Sequence, residues 1–284
     1  MQLDKTRIVI RERTYLEILD LALRVIRAYP AQLFIVCTLG SLPWIVLNWW
    51  LIGDWAHIDP EFAYADNTPW AFLWWTLILV VWEMPLAAVL TTLFLGQATF
   101  LQRPSVPQIR TDLIRSIGQL LVFQIILRAI LVIMFITWIL LFCIWPYLNE
   151  VVLLERNPLR SKSGNRMTTL RRVGALHGSR MGELFGRWLA SILFGVALTI
   201  AFWSSIVVVA HLVQLGWGVA TGEGRPWVDG AFFSVFFPAA VWLVVNFFAV
   251  VRFLCYLDLR IRSEGWEVEL ILRAQAARFA RQPA

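Results

Sequence analysis

Long apolar runs separated by arginine-rich segments constrain this chain more than any single motif. Ala31–Ile52, Trp70–Gln97, Trp188–Gln214 and Asp229–Leu257 each hold at most two or three charged side chains. About 20 apolar residues in a helix cross a hydrocarbon core of roughly 30 Å. Lipid offers no hydrogen bonds to the backbone, so a spanning segment must satisfy its own, and a helix does so within itself. The expected fold class is therefore all-α, a polytopic integral membrane helical bundle.

Composition agrees. Of 284 residues, 59% are hydrophobic and 15% charged, against about 25% charged in soluble domains. The sequence pI of 9.7 and net charge of +6 do not point to nucleic acid, because the positive charge flanks apolar spans instead of forming one patch among stacking aromatics. The same charge suits anionic lipid headgroups at a cytoplasmic face. Cys37, Cys143 and Cys255 sit in apolar segments without CxxC spacing, which argues against a disulfide framework or a zinc site. No cleavable signal is apparent before the first apolar run, which is expected to remain as an anchor.

Arginine placement sets an orientation. Of 25 Lys and Arg residues, six lie in 1–30, three in 99–116, eight in 155–187 and six in 252–284. Basic residues stay on the cytoplasmic side during insertion. The connections at 53–69 and 215–228 hold none and one (Arg225) and are expected outside. Ile117–Leu154 is too long for one helix, yet both its flanks are basic, so an even number of crossings separates them. Two tight helices with a turn near Phe135–Trp138 fit; a hairpin that re-enters without crossing fits too. The two-helix reading gives six spans in three hairpins, at about 31–52, 70–97, 117–135, 138–154, 188–214 and 229–257. Both termini are then cytoplasmic, in the inner (plasma) membrane of a bacterial cell. Half of the 16 tryptophans, Trp49, Trp50, Trp55, Trp70, Trp74, Trp75, Trp217 and Trp227, border the two clear outer connections, where an indole ring sits at headgroup level.

Each hairpin is expected to follow a cytoplasmic amphipathic helix. The first lies within 1–30 and starts at a capping box, Thr14 with Glu17. The second begins at Ser105 with Pro107 in its first turn. The third starts near Thr168. A C-terminal helix over 258–284 closes the single membrane domain.

Two charges lie nearest the membrane interior, Glu83 and Arg128. An ionisable group there costs about 2.5–3.5 kcal/mol on insertion scales and normally faces a partner. The two are expected to pair, either as an interhelical register lock or as part of a proton or ion relay. A second candidate is a cytoplasmic clamp in which Glu155, at a membrane exit, meets Arg171 or Arg172. Metal and cofactor sites have no support: there is no HExxH or comparable Cys/His spacing, and His57 among Asp54, Asp59 and Glu61 reads as part of a solvated acidic loop. Phosphate-binding and nucleophile-elbow motifs are also missing.

Three strings carry a resemblance: NEVVLLERNP (Asn149–Pro158), TTLRRVGALHGSR (Thr168–Arg180) and YLDLRIRSEGWEVEL (Tyr256–Leu270). With them the chain resembles uncharacterised bacterial inner-membrane proteins related to the membrane domain that precedes some glycerophosphodiester phosphodiesterases. The matching features are the Leu154–Glu155 step, the helix bearing Arg171, Arg172 and Arg180, and the closing Asp258, Leu259, Arg260, Glu264 and Gly265. The frequent Arg-Ser step is Arg172–Val173 here, and the catalytic domain has no counterpart. The resemblance implies a six-helix membrane module without that activity. The expected function is a non-enzymatic scaffold or accessory subunit of an inner-membrane assembly, with a membrane-protein partner. The competing expectation is a small transporter or channel-like protein with a mid-membrane polar site around Glu83 and Arg128; a lipid-handling enzyme is disfavoured for want of a nucleophile–base pair.

Overall fold

The computed structural model of the protein describes residues 12–53, 68–100, 104–127, 147–155, 157–159, 167–178, 180–221 and 235–264. All regular structure among them is helical. Helix α1 (Tyr15–Ala28) starts at the expected capping box: Glu17 N–H donates to Thr14 Oγ1 at 3.4 Å and Thr14 N–H donates to Glu17 Oε2 at 2.8 Å. Such a cap contributes about 1 kcal/mol. The helix stops at Tyr29 because Pro30 disfavours helical geometry in the residue before it, and Pro30 itself opens α2 (Pro30–Ile52). Ile18 and Ala22 of α1 are buried, whereas Leu16 and Leu23 are exposed.

Among the described residues four helices are long and apolar enough to cross a membrane: α2, α3 (Thr68–Phe100), α7 (Met181–Thr221) and α8 (Phe237–Glu264). Pro43 and Pro85 lie inside α2 and α3 without ending them. The first two match the expected spans closely. The third starts at Met181, seven residues before Trp188, and the fourth runs on past Leu257 to Glu264. The segment 258–264, expected to open a separate C-terminal helix, therefore prolongs α8. Asp258, Arg260 and Arg262 have partners of opposite charge, so the edge of the apolar run need not end the helix. Residues 265–284 lie outside the described residues, as do the connections at 54–67 and 222–234.

The stretch between α3 and α7 differs more from expectation. Helix α4 (Val106–Leu120) has Ser105 before it and Pro107 in its first turn, and continues directly into π-helical turns over Leu121–Leu127. No break separates a surface helix from a span at Ile117. The short α5 (Leu148–Glu150) likewise passes into a π-helical turn, Val151–Glu155. Both segments bury polar groups, among them Asp112, Ser116, Gln124, Asn149 and Glu150. Residues 128–146, which make up much of the two spans expected between α4 and α6, lie outside the described residues. The turn expected at 135–138 lies outside the described residues. Helix α6 (Thr169–His177) follows Thr168 as its N-cap.

The chain, expected as one domain, divides into two compact units. Met1–Val36, Val89–Trp188 and Ala249–Ala284 form the first; Cys37–Ala88 and Leu189–Phe248 form the second. In the second, Leu73, Val80 and Ala87 repeat every seven residues along α3 and pack with Phe237, Val241 and Trp242 of α8, with Trp44 and Trp203 against the cluster. Gly40 permits a close approach of α2 to α3, since a Cβ there would lie 2.3 Å from the Ala87 carbonyl oxygen. Helix α7 leaves Leu193, Val196, Ile200, Val208 and Leu212 exposed, an apolar surface suited to lipid. A Cβ on Gly186, near the start of α7, would meet nothing within 4 Å among the described residues. In the first unit the fully buried side chains include Val151, Val173, Val250, Phe253 and Tyr256.

Candidate functional site

The two units hold their polar groups differently. The first unit is built around three buried or nearly buried carboxylates, each met by arginine. Glu155, at the end of the π-helical turn, accepts from Arg172 Nε at 2.5 Å and Arg172 Nη2 at 3.1 Å, a two-pronged pair joining that turn to α6. Tyr256 of α8 donates its hydroxyl to the same carboxylate at 2.8 Å, and Arg260 Nε lies 3.6 Å away. A planar guanidinium matches both carboxylate oxygens at once, which makes this geometry directional as well as strong. Arg171, the other clamp candidate, is exposed.

Asp258 lies one turn before Arg262 on α8 and is 1% exposed. It accepts from Arg187 Nη2 of α7 at 2.6 Å, Arg262 Nε at 2.9 Å and the Arg13 backbone N–H at 2.9 Å. Glu183 also accepts from Arg187 at 2.7 Å and lies 3.4 Å from Arg262. One carboxylate thus ties the residues before α1 and the start of α7 to α8. Glu150, 1% exposed, meets Arg252 of α8 at 2.8 Å. Neutral bonds fill in the remainder: Gln124 donates to Asn149, and Gln119 donates to the Asn157 carbonyl at 2.9 Å, which also accepts from Thr169 Oγ1 at 3.0 Å.

Beside this network a cavity of about 640 Å³ opens between α1, the end of α3 and α8. Its wall is apolar, with Leu95, Ala98, Phe253 and Leu254, and Arg13, Glu17, Asp20 and Arg24 line its α1 side. Asp20 and Arg24 pair at 2.7 Å. Two acids and two arginines leave that lining without net charge, so it is not a phosphate pocket of the usual basic kind.

The described residues of the second unit are almost uncharged. Glu83 is the only Asp, Glu, Lys or Arg among its described residues. It is 4% exposed, and its Oε2 accepts from Asn48 Nδ2 of α2 at 2.8 Å. Elsewhere in the unit Ser41 donates to Asn246 at 3.0 Å, joining α2 and α8. Arg128, the expected partner of Glu83, lies outside the described residues.

Sequence reasoning named Glu83, Glu155 and Arg172 but missed Asn48, Arg187 with Asp258, and Glu150 with Arg252. The signal for the last pair was available: Glu150 and Arg252 are ionisable groups within apolar runs, and the rule that such groups need partners applies to them as it does to Glu83. Asn48 carried no charge to draw attention, and only the packing of α2 on α3 reveals it. Among the described residues no group of three or more His, Cys, Asp and Glu side chains is placed to hold a metal ion.

Comparison with protein families, with curated proteins and with solved structures finds no match.

Proposed function

We propose that this chain is a multi-pass inner-membrane protein with a non-enzymatic, scaffolding or accessory role, whose arginine-rich unit faces the cytoplasm. The observation that carries this reading is the use made of the first unit's buried acids. Glu150, Glu155 and Asp258 are each held by arginine, and together they join α8 to α5, α6, the start of α7 and the segment before α1. Groups held this way brace a platform; they are poorly placed to act as mobile acids or bases. The second unit, with exposed apolar side chains on α7 and a single charge among its described residues, suits a membrane anchor. The six-span topology in three hairpins, with both termini inside, rests on the distribution of Lys and Arg. Relation to the membrane module of the glycerophosphodiester phosphodiesterases rests on the three strings quoted above. Anionic headgroups and a membrane-protein partner are the proposed contacts of the basic face.

Two measurements test the proposal. Reporter fusions after residues 30, 60, 166, 220 and 284 give the sidedness of each segment; periplasmic activity at 30, 166 or 284 would overturn the orientation. Single cysteines at Val80 and Ala87, on the α3 face that carries Glu83, are then challenged with a membrane-impermeant thiol reagent. A scaffold leaves both unreactive. Rapid labelling at either position would reveal an aqueous path to Glu83 and favour a transporter instead.

A further inference from the structure

Among its described residues the second unit contains one buried charge and, on the amide bonded to it, one buried oxygen without a hydrogen-bond partner. Asn48 Oδ1 is enclosed and has no hydrogen-bond partner among the described residues, while Nδ2 of the same amide donates to Glu83 Oε2 at 2.8 Å. Asn48 is 7% exposed and Glu83 4%. We propose that Glu83 and Asn48 form an intramembrane proton-binding site, in which one proton on the carboxyl closes a two-bond ring with the amide.

The argument is one of donors and acceptors. An ionised carboxylate only accepts, so it satisfies the amide N–H but can offer nothing to Oδ1. A neutral carboxyl carries one donor and one acceptor in a plane, the complement of a primary amide. Its O–H then donates to Oδ1 while its other oxygen keeps the bond from Nδ2. Rotating the amide by half a turn changes nothing essential, because Oδ1 would then face a carboxylate oxygen, and two acceptors in contact also need a proton between them. Either way the species that satisfies the buried oxygen is a proton on Glu83. A buried acceptor left unmet costs about 1–3 kcal/mol, so the site has a physical reason to be filled.

The described residues of the unit bring no rival charge. His211 on α7 and Cys37 on α2 are the other titratable side chains among the unit's described residues. The polar groups that α2 and α8 add, Ser41 and Asn246, bond each other. Thr76, seven residues before Glu83 on the same stripe of α3, has a buried hydroxyl without a hydrogen-bond partner among the described residues. It stands about 10 Å along the axis, a second polar step on the stripe. The binding event is simple: a hydronium ion gives up one O–H bond as the carboxylate gains one, and a water molecule is released. This site is separate from the braced platform of the first unit and does not depend on the scaffold reading.

The test uses the full chain in phosphatidylethanolamine/phosphatidylglycerol vesicles. Infrared spectra of the wild type minus Glu83→Gln, recorded across the pH range the protein tolerates, should contain the C=O band of a protonated carboxyl. In Asn48→Leu that band should move to higher frequency, because both ring bonds are lost. A wild type whose spectrum shows only ionised Glu83 at every pH overturns the proposal, as an ion pair with Arg128 would. A band left in place by Asn48→Leu overturns the ring. Should Asn48→Leu fail to fold, wild-type protein is treated with dicyclohexylcarbodiimide, which attacks the protonated form of buried carboxyls, and the peptide carrying Glu83 is weighed. Modification at Glu83 that declines as pH rises is expected; an unmodified Glu83 at every pH refutes the site.

Discussion

Replacing Asp258 by Ala is the sharpest perturbation of the first unit. The carboxylate is almost fully enclosed and accepts from Arg187, Arg262 and the Arg13 backbone N–H. Removing it takes from Arg187, 9% exposed, its acceptor at 2.6 Å, and from the Arg13 N–H its acceptor at 2.9 Å. Breaking one side of a buried ion pair costs about 3–5 kcal/mol, equal to roughly two to four powers of ten in the unfolding equilibrium at about 1.4 kcal/mol per tenfold. Arg262 adds little to that loss, because Glu12 and Glu183 lie 3.6 and 3.4 Å away and still compensate its charge. Cys255, 3% exposed and one turn before Asp258 on α8, supplies the reporter. In a Cys37→Ser, Cys143→Ser background, a thiol-reactive dye reads exposure of this unit during unfolding in mild detergent. The double change Asp258→Leu with Arg187→Leu should recover part of the stability, since an apolar pair avoids the stranded cation. Unfolding of Asp258→Ala within about 0.5 kcal/mol of wild type, the range of an ordinary surface change, would refute the bracing role.

Glu155→Ala should release both Arg172 and Tyr256 and speed protease cleavage within 155–187 by at least about tenfold, the loss of roughly 1.4 kcal/mol or more; unchanged cleavage would dismiss the clamp. Arg171→Ala, an exposed neighbour, should leave cleavage unaffected. Gly40→Ala should destabilise by about 1–3 kcal/mol because its Cβ would collide with the Ala87 carbonyl, read as a lower melting temperature in detergent. The matched control, Gly186→Ala, meets open space and should fall within about 0.5 kcal/mol of wild type or above it, since alanine favours a helix. Thr14→Ala should remove the α1 cap at a cost of about 1 kcal/mol, seen as faster amide exchange in the first turn of α1 than in wild type.

Periodicity and punctuation disclosed much of the secondary structure. Thr14 and Glu17 marked one helix start, and Ser105 with Pro107 another. They could be read because caps and prolines act through the backbone within a few residues. Boundaries set by long-range bonds could not be read this way. Arg187 and Asp258 stand just beyond the expected spans 188–214 and 229–257, yet both lie within α7 and α8, each made tolerable by the other.

Hydropathy and arginine bias, both local and cumulative, were enough to establish a helical chain suited to a membrane, because the free energy of each residue in lipid depends mainly on its own side chain. Pairing is another matter. Asn48 meets Glu83 across 35 positions, Arg172 meets Glu155 across 17, Arg252 meets Glu150 across 102 and Arg187 meets Asp258 across 71. Those partnerships were decided only when helices packed, since a directional bond of about 3 Å depends on where two backbones lie in space, and no reading of one segment carries that information.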